Sequence, residues 1–250
     1  MSSTVKQNHT LFDHLLELRT RLLHAVLGVL VVFCSLVYFT QDIYQYVAQP
    51  LLTVMPADTQ MIATDVASPF FTPFKLTIVI SVFVAMPYIL YQLWSFIAPG
   101  LYKNEKRLIA PLMFGSTLLF YGGIAFAYYV VFPVVFAFFS SVAPDGVTIA
   151  TDISSYLDFV LKLFFAFGVA FEIPIAIILM CWTGVTSPDS LRAKRPYIVL
   201  AAFVVGMLLT PPDIISQTML AVPMLLLFEV GIIIASLYYR ADEESEPKEQ

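Results

Sequence analysis

The run LDFVLKLFFAFGVAFEIPIAIILMCW, residues 157–182, decides the fold. Its ionisable side chains are Asp158, Lys162, Glu172 and Cys181, and everything else is apolar or small. About 20 helical residues cross a hydrocarbon core of about 30 Å, so this run is long enough to span. Outward from it, comparable stretches lie at 22–39, 74–94, 108–132 and 214–238. A sixth, 197–209, reaches only about 20 Å as a helix and could be re-entrant.

Charge settles the order of crossing. None of the 13 Lys and Arg falls within 41–71, 133–156 or 210–213. Nearly all collect at 6–21, at Lys103, Lys106 and Arg107, at Arg192, Lys194 and Arg195, and at Arg240 and Lys248. Cytoplasmic loops retain Lys and Arg. The alternation predicts an all-α membrane protein of six transmembrane helices with both ends in the cytoplasm. Basic residues precede 197–209 and Asp213 follows it, so this short stretch reads as a true span. Thr210-Pro211-Pro212-Asp213 is then a tight extracytoplasmic turn. Short spans force tilting or local thinning of the bilayer.

Composition agrees. The chain is 59% hydrophobic and 12% charged, with mean hydropathy +0.84, where soluble domains carry about 25% charged residues. Nothing suggests nucleic-acid binding. Cys34 and Cys181 lie in apolar runs and read as small buried hydrophobes. The first apolar stretch follows a polar start and lacks a small-residue cleavage site, so it reads as a span and not as a cleaved signal. Residues 1–240 form a single membrane domain, and the acidic 241–250 reads as a disordered cytoplasmic tail.

Pro87, Pro111, Pro133, Pro174 and Pro223 fall inside the predicted helices, each removing a backbone bond. Five such sites favour a curved, concave bundle. Segments 41–71 and 133–156 are polar enough to form structured extracytoplasmic caps, and Pro50 and Asp213 in the basic-free zones read as structural. Before the first span, Leu11, Leu15, Leu18 and Leu22 recur at helical spacing over 9–23. This predicts an amphipathic helix along the cytoplasmic interface that then turns inward. The two halves show no internal repeat, which weakens an inverted-repeat transporter.

The sequence has no His-Glu-x-x-His, no Gly-x-Ser-x-Gly and no phosphate-binding loop, and it implies no cofactor, metal or catalytic site. Recognition and passage remain. Glu172 sits at bilayer depth, where a charge costs about 2.5–3.5 kcal/mol and normally faces protein or water. Glu229 is nearer the cytoplasmic end, and Lys162 snorkels outward. Glu17 is placed for an i,i+4 pair with Arg21. Glu105 reads as a helix-N-terminal charge beside Lys106. On these residues alone, a proton-coupled solute transporter built around Glu172 is the competing reading.

A dense set of motifs runs in order through His14-Leu15-Leu16-Glu17-Leu18-Arg19-Thr20-Arg21, Ser68-Pro69-Phe70-Phe71-Thr72-Pro73 and Trp94-Ser95-Phe96-Ile97-Ala98-Pro99-Gly100-Leu101-Tyr102. It continues through Glu105 and Arg107, Phe167-Gly168, Phe171-Glu172-Ile173-Pro174, and Leu209-Thr210-Pro211-Pro212-Asp213 with Gln217. These motifs resemble the TatC family, the multi-span subunit of twin-arginine protein translocases. The resemblance covers about 10–240, shows a close likeness to enterobacterial-type members, and implies a bacterial inner membrane location.

It implies a non-enzymatic receptor for folded precursors bearing an Arg-Arg signal peptide. The peptide would meet Glu17 and Glu105, with Phe96, Arg19 and Lys103 beside them. A guanidinium offers a carboxylate two parallel charge-assisted bonds, which an ammonium cannot reproduce. The resemblance further implies that Glu172 faces a membrane groove. Met207, Thr210 and Gln217 would contact the partner proteins TatB and TatA, in an oligomer with TatB. Transport would draw on the proton-motive force.

Overall fold

A computed structural model describes residues 2–53, 61–97, 109–141, 151–209 and 214–245, and within them all side chains except those of 2–14, 50–51, 97, 109, 140, 215–216 and 238–245. The described residues are helical almost throughout, with one isolated β-bridge, Ile62 to Asp152. The helices are α1 (Ser2–Leu36), α2 (Thr40–Leu52), α3 (Ser68–Val84), α4 (Met86–Ile97), α5 (Ile109–Phe126) and α6 (Phe132–Ser141). They continue with α7 (Ile153–Ala170), α8 (Ile173–Trp182), α9 (Pro188–Ala193), α10 (Arg195–Leu209) and α11 (Ile214–Ser245).

Among the described residues, four segments are long and apolar enough to cross a membrane: Leu15–Gln49, Ala110–Phe139, Ile153–Trp182 and Gln217–Leu237. Ser68–Val84 and Met86–Phe96 form a fifth, bent by 49°, and Arg195–Leu209 is a shorter apolar helix. These six apolar segments follow the order predicted from sequence, and the chain is an all-α membrane protein.

Prolines explain the breaks. Pro87 has no N–H for the Phe83 carbonyl, and α3 gives way to α4 at Ala85. Pro174 likewise has no N–H to offer the Ala170 carbonyl. The chain there tightens, Glu172 N–H bonding the Val169 carbonyl at 3.0 Å, before α8 starts. Ahead of Pro133 the ladder widens into a π turn over Ala127–Val131, with Phe132 N–H donating to the Ala127 carbonyl. Pro111 sits in the first turn of α5, where no N–H partner is required, and breaks nothing. Pro223 is carried inside an unbroken α11.

Three expectations are corrected here. The amphipathic stretch does not turn before the span. Residues 2–36 are one continuous helix, because 9–23 contains no glycine or proline to break it. Cys34 is exposed, on a helix whose described side chains are mostly uncovered, whereas Cys181 is buried. Residues 241–245 continue α11, since Ala-Asp-Glu-Glu-Ser holds no breaker.

Contacts divide the chain into two units, Met1–Tyr46 with Phe70–Thr117, and Val47–Pro69 with Leu118–Gln250. In the first, α1 packs on α4. A Cβ at Gly28 would lie 2.6 Å from Tyr88 Cδ1, so only glycine permits that crossing. The Phe33 and Phe74 rings meet at 5.3 Å. Thr77 and Ser81 are buried on α3 and donate to the carbonyls one turn back, at 2.9 and 2.6 Å. Such back-bonding satisfies hydroxyls that have no water to meet.

In the second unit, α8 and α11 share a core of Ile177, Ile178, Cys181, Phe228 and Ile232. Helices α5–α6 and α7 are joined by rings: Phe126 with Phe167 at 5.5 Å, Phe132 with Phe164 at 5.0 Å, Phe136 with Tyr156 at 5.4 Å. Lipid is as apolar as these side chains, so close packing, and not escape from water, holds the helices together. Each aromatic pair adds about 0.5–1.5 kcal/mol.

Candidate functional site

Glu17 lies on α1 and is half-buried. Its Oε1 accepts from Arg21 Nε at 2.9 Å and Nη2 at 2.6 Å, the i,i+4 pair expected from sequence. Arg19, two residues along, is exposed and lies on a different side of the helix from Glu17. Phe96, partly buried, lies in the last turn of α4.

The crossing of α1 and α4 sets the register of these residues. Phe33 meets Phe74 and Gly28 meets Tyr88, so sequence numbers fall along α1 as they rise along the bent α3–α4 segment. The helices are antiparallel. Glu17 lies eleven residues before Gly28, about 16 Å along the axis, and Phe96 lies eight residues after Tyr88, about 12 Å. Carboxylate and aromatic ring therefore stand at the same end of the pair, about one helical turn apart in depth. Glu105 and Lys103 lie outside the described residues.

Glu172 occupies the break between α7 and α8, the one place in this span where helical bonding is interrupted. It is partly buried, and its Oε1 is enclosed by protein. Pro174 produces this position, as the Glu-x-Pro spacing implies.

The α10–α11 hairpin presents Met207 at 50% exposure, beside exposed Leu208 and Val204. Gln217 is engaged inside the hairpin, its Nε2 donating to the Phe203 carbonyl at 2.7 Å. The helices meet closely there, because a Cβ at Gly206 would lie 3.1 Å from Gln217 Cγ. Thr210 and Asp213 lie outside the described residues, and of Pro50 only its backbone, in α2, is described.

Two features were missed in the sequence. Glu229 Oε2 accepts from Arg195 Nη2 at 2.6 Å, tying α11 to the start of α10. Asp152 is the hub of a cap. Its Oδ2 accepts from Ser155 N–H and Oγ at 2.9 and 3.0 Å, which caps α7. Its Oδ1 accepts from Thr64 N–H and Oγ1 at 3.2 and 2.9 Å. Ile62 exchanges backbone bonds with Thr151 and Ile153, and Tyr156 Oη donates to the Val47 carbonyl at 3.0 Å. The Ser155 amide, then the Thr64 hydroxyl and amide, hold the Asp152 carboxyl down at about 2. Asp-x-x-Ser before an apolar run was a readable cap signal; the Thr64 contact carried none.

Residues 13–223 match the family described as Sec-independent protein translocase protein (TatC). The chain is 61% identical over 246 residues to the protein so named from Haemophilus influenzae, covering 98% of this chain and 96% of the relative. It is 57% identical over 235 residues to that of Escherichia coli K12, covering 94% and 91%. A solved structure described as a crystal structure of the twin arginine translocase receptor TatC superposes with a TM-score of 0.81 at 37% identity, covering 90% of this chain and 98% of that one. A second, of the receptor in DDM, gives 0.82 at 36% identity, covering 89% and 99%. With its six apolar helical segments in the predicted order and relatives matched over nearly their whole length, the chain belongs to the TatC family of Sec-independent protein translocase proteins, multi-pass proteins of the inner membrane.

Proposed function

We propose that the chain is the receptor of a twin-arginine translocase, binding the Arg-Arg signal peptides of folded precursors at its cytoplasmic face. The observation that carries this reading is that Glu17 and Phe96 stand at the same end of the antiparallel α1–α4 pair, about one turn apart in depth. That end then carries both a carboxylate able to hold a guanidinium and a ring able to cover the peptide's apolar part. Glu105 and Lys103 follow α4 closely in sequence and complete the reading. The basic residues at 6–21 and 192–195 support a cytoplasmic orientation for it, with both termini inside. Arg19 adds positive charge on another side of α1 and contributes to orientation more than to arginine capture.

The exposed face of α10 around Met207 is the reading's docking surface for the single membrane helices of TatB and TatA. Gln217 supports that surface from within by fixing α10 on α11. Glu172 serves as a polar contact in a membrane groove. The receptor performs no catalysis of its own.

Crosslinking of a labelled twin-arginine peptide in membranes tests the reading. Glu17→Ala and Glu105→Ala each lose a charge-assisted contact of about 1.5–3 kcal/mol, so crosslinking falls at least tenfold while insertion stays normal. Unchanged crosslinking in the double variant would return both carboxylates to ordinary surface charges.

A further inference from the structure

The carboxylate read as the arginine receptor already holds an arginine of its own chain. Arg21 lies one turn beyond Glu17 and places two donors of its guanidinium, at 2.9 and 2.6 Å, on Glu17 Oε1. The side chains are 26% and 35% exposed, respectively, so the pair is sheltered yet reachable. Arg21 thus makes with Glu17 the kind of contact an incoming guanidinium would make.

We propose that Arg21 is an internal competitor for the signal-peptide arginine, and that exchange of one guanidinium for another on Glu17 sets the affinity of the site. The inference rests on the reading of Glu17 as a peptide-binding group. A peptide arginine that displaces Arg21 restores the planar, multi-donor contact that is given up, so the exchange is nearly balanced, whereas a peptide lysine returns one point contact. Breaking the resident pair costs the same whichever ligand enters, so Arg21 lowers both affinities by one common factor and leaves their ratio to Glu17 itself. Arg21 acts by occupying the site before the ligand does.

The experiment uses the full-length protein in nanodiscs and two synthetic fluorescent peptides, one with Arg-Arg and one with Lys-Lys at the same position. An ion pair of i,i+4 spacing is worth about a twofold factor in an equilibrium. Arg21→Gln should bind the Arg-Arg and the Lys-Lys peptide each about twofold more tightly, leaving their ratio unmoved. Arg21→Lys keeps the charge and the helix contact and should fall between Arg21→Gln and the unaltered protein. In a Glu17→Ala background, Arg21→Gln should change nothing. A purely structural role for Arg21 would weaken the binding of both peptides, which overturns the proposal. So does tighter binding that persists without Glu17. If Glu17→Ala alone leaves binding intact, the receptor reading of Glu17 falls first and takes this inference with it. If Glu17→Ala weakens binding and Arg21→Gln does not strengthen it, the receptor reading stands and the competitor fails.

Discussion

Thr64 donates both its backbone N–H and its hydroxyl to one oxygen of Asp152, at 3.2 and 2.9 Å, across 88 residues of chain. The contact clasps the segment before α3 onto the start of α7. Asp152 titrates at about 2 in the folded chain, below its ordinary 3.8. A depressed carboxyl contributes stability that is complete above its unfolded value and is lost as pH falls toward the folded one. The clasp should therefore hold unchanged down to about pH 4 and loosen between about pH 4 and pH 2. Hydrogen exchange of the Ile62 and Ile153 amides checks this: protection lost already at pH 5 would contradict it. Asp152→Asn should lose the acid dependence and expose both amides at neutral pH.

Gly28 is the contact point of α1 and α4. Gly28→Val puts carbon where the Tyr88 ring lies, 2.6 Å away. Overpacking of this kind costs about 1–3 kcal/mol. Thermal unfolding in detergent should show the loss, and signal-peptide crosslinking should fall because the register that sets Glu17 and Phe96 at one end of the pair is disturbed. Tyr88→Ala should rescue both measurements in the double variant, while a rescue of stability alone would separate packing from recognition.

Gln217 bonds within its hairpin, so its replacement acts first on α10. Gln217→Leu removes one interhelical bond, worth about 0.6–2 kcal/mol in a membrane. Disulfide trapping from cysteines along α10 should then show partner crosslinks spread over several faces instead of concentrated near Met207. Crosslinks that stay sharply at Met207 would show that the Phe203 bond does not orient the helix.

Glu172 at the α7–α8 break separates receptor from proton carrier. Glu172→Gln keeps size and hydrogen bonding and should sustain near-normal export of a twin-arginine reporter. Glu172→Ala should export less, and Glu172→Leu least. Complete loss in the glutamine variant, with normal assembly, would give the carboxyl a titrating role.

Much of this was legible, and the misses share a physical cause. Segregated Lys and Arg gave six crossings without any knowledge of packing, because insertion reads charge locally. Pro87 and Pro174 announced breaks, yet Pro111 and Pro223 looked the same in sequence and break nothing. One sits where no N–H is needed, and the other lies in a helix whose neighbours tolerate the gap. The Glu17–Arg21 pair follows from helical spacing. Arg195–Glu229 and Thr64–Asp152 join residues 34 and 88 apart, a distance over which no local pattern speaks. The amphipathic spacing over 9–23 is real, but a periodic face says which side is apolar and not whether the helix bends. Glu17 was picked out by resemblance; its place at the same end of the helix pair as Phe96 needed the Gly28–Tyr88 crossing.

The clasp also fixes an order of events during synthesis. Thr64 leaves the ribosome long before Asp152, and chains elongate at about 5–20 residues per second. For roughly 4–18 s, then, the newly inserted first spans have no cap to receive the segment at 61–68. Only when the start of α7 has crossed can Ile62 find its bridge and Thr64 its acceptor. The same few bonds that steady the finished protein therefore mark the moment at which a nascent chain stops being a row of separate helices and becomes a closed structure. Asp152→Asn should lengthen the window in which a quality-control protease finds its target.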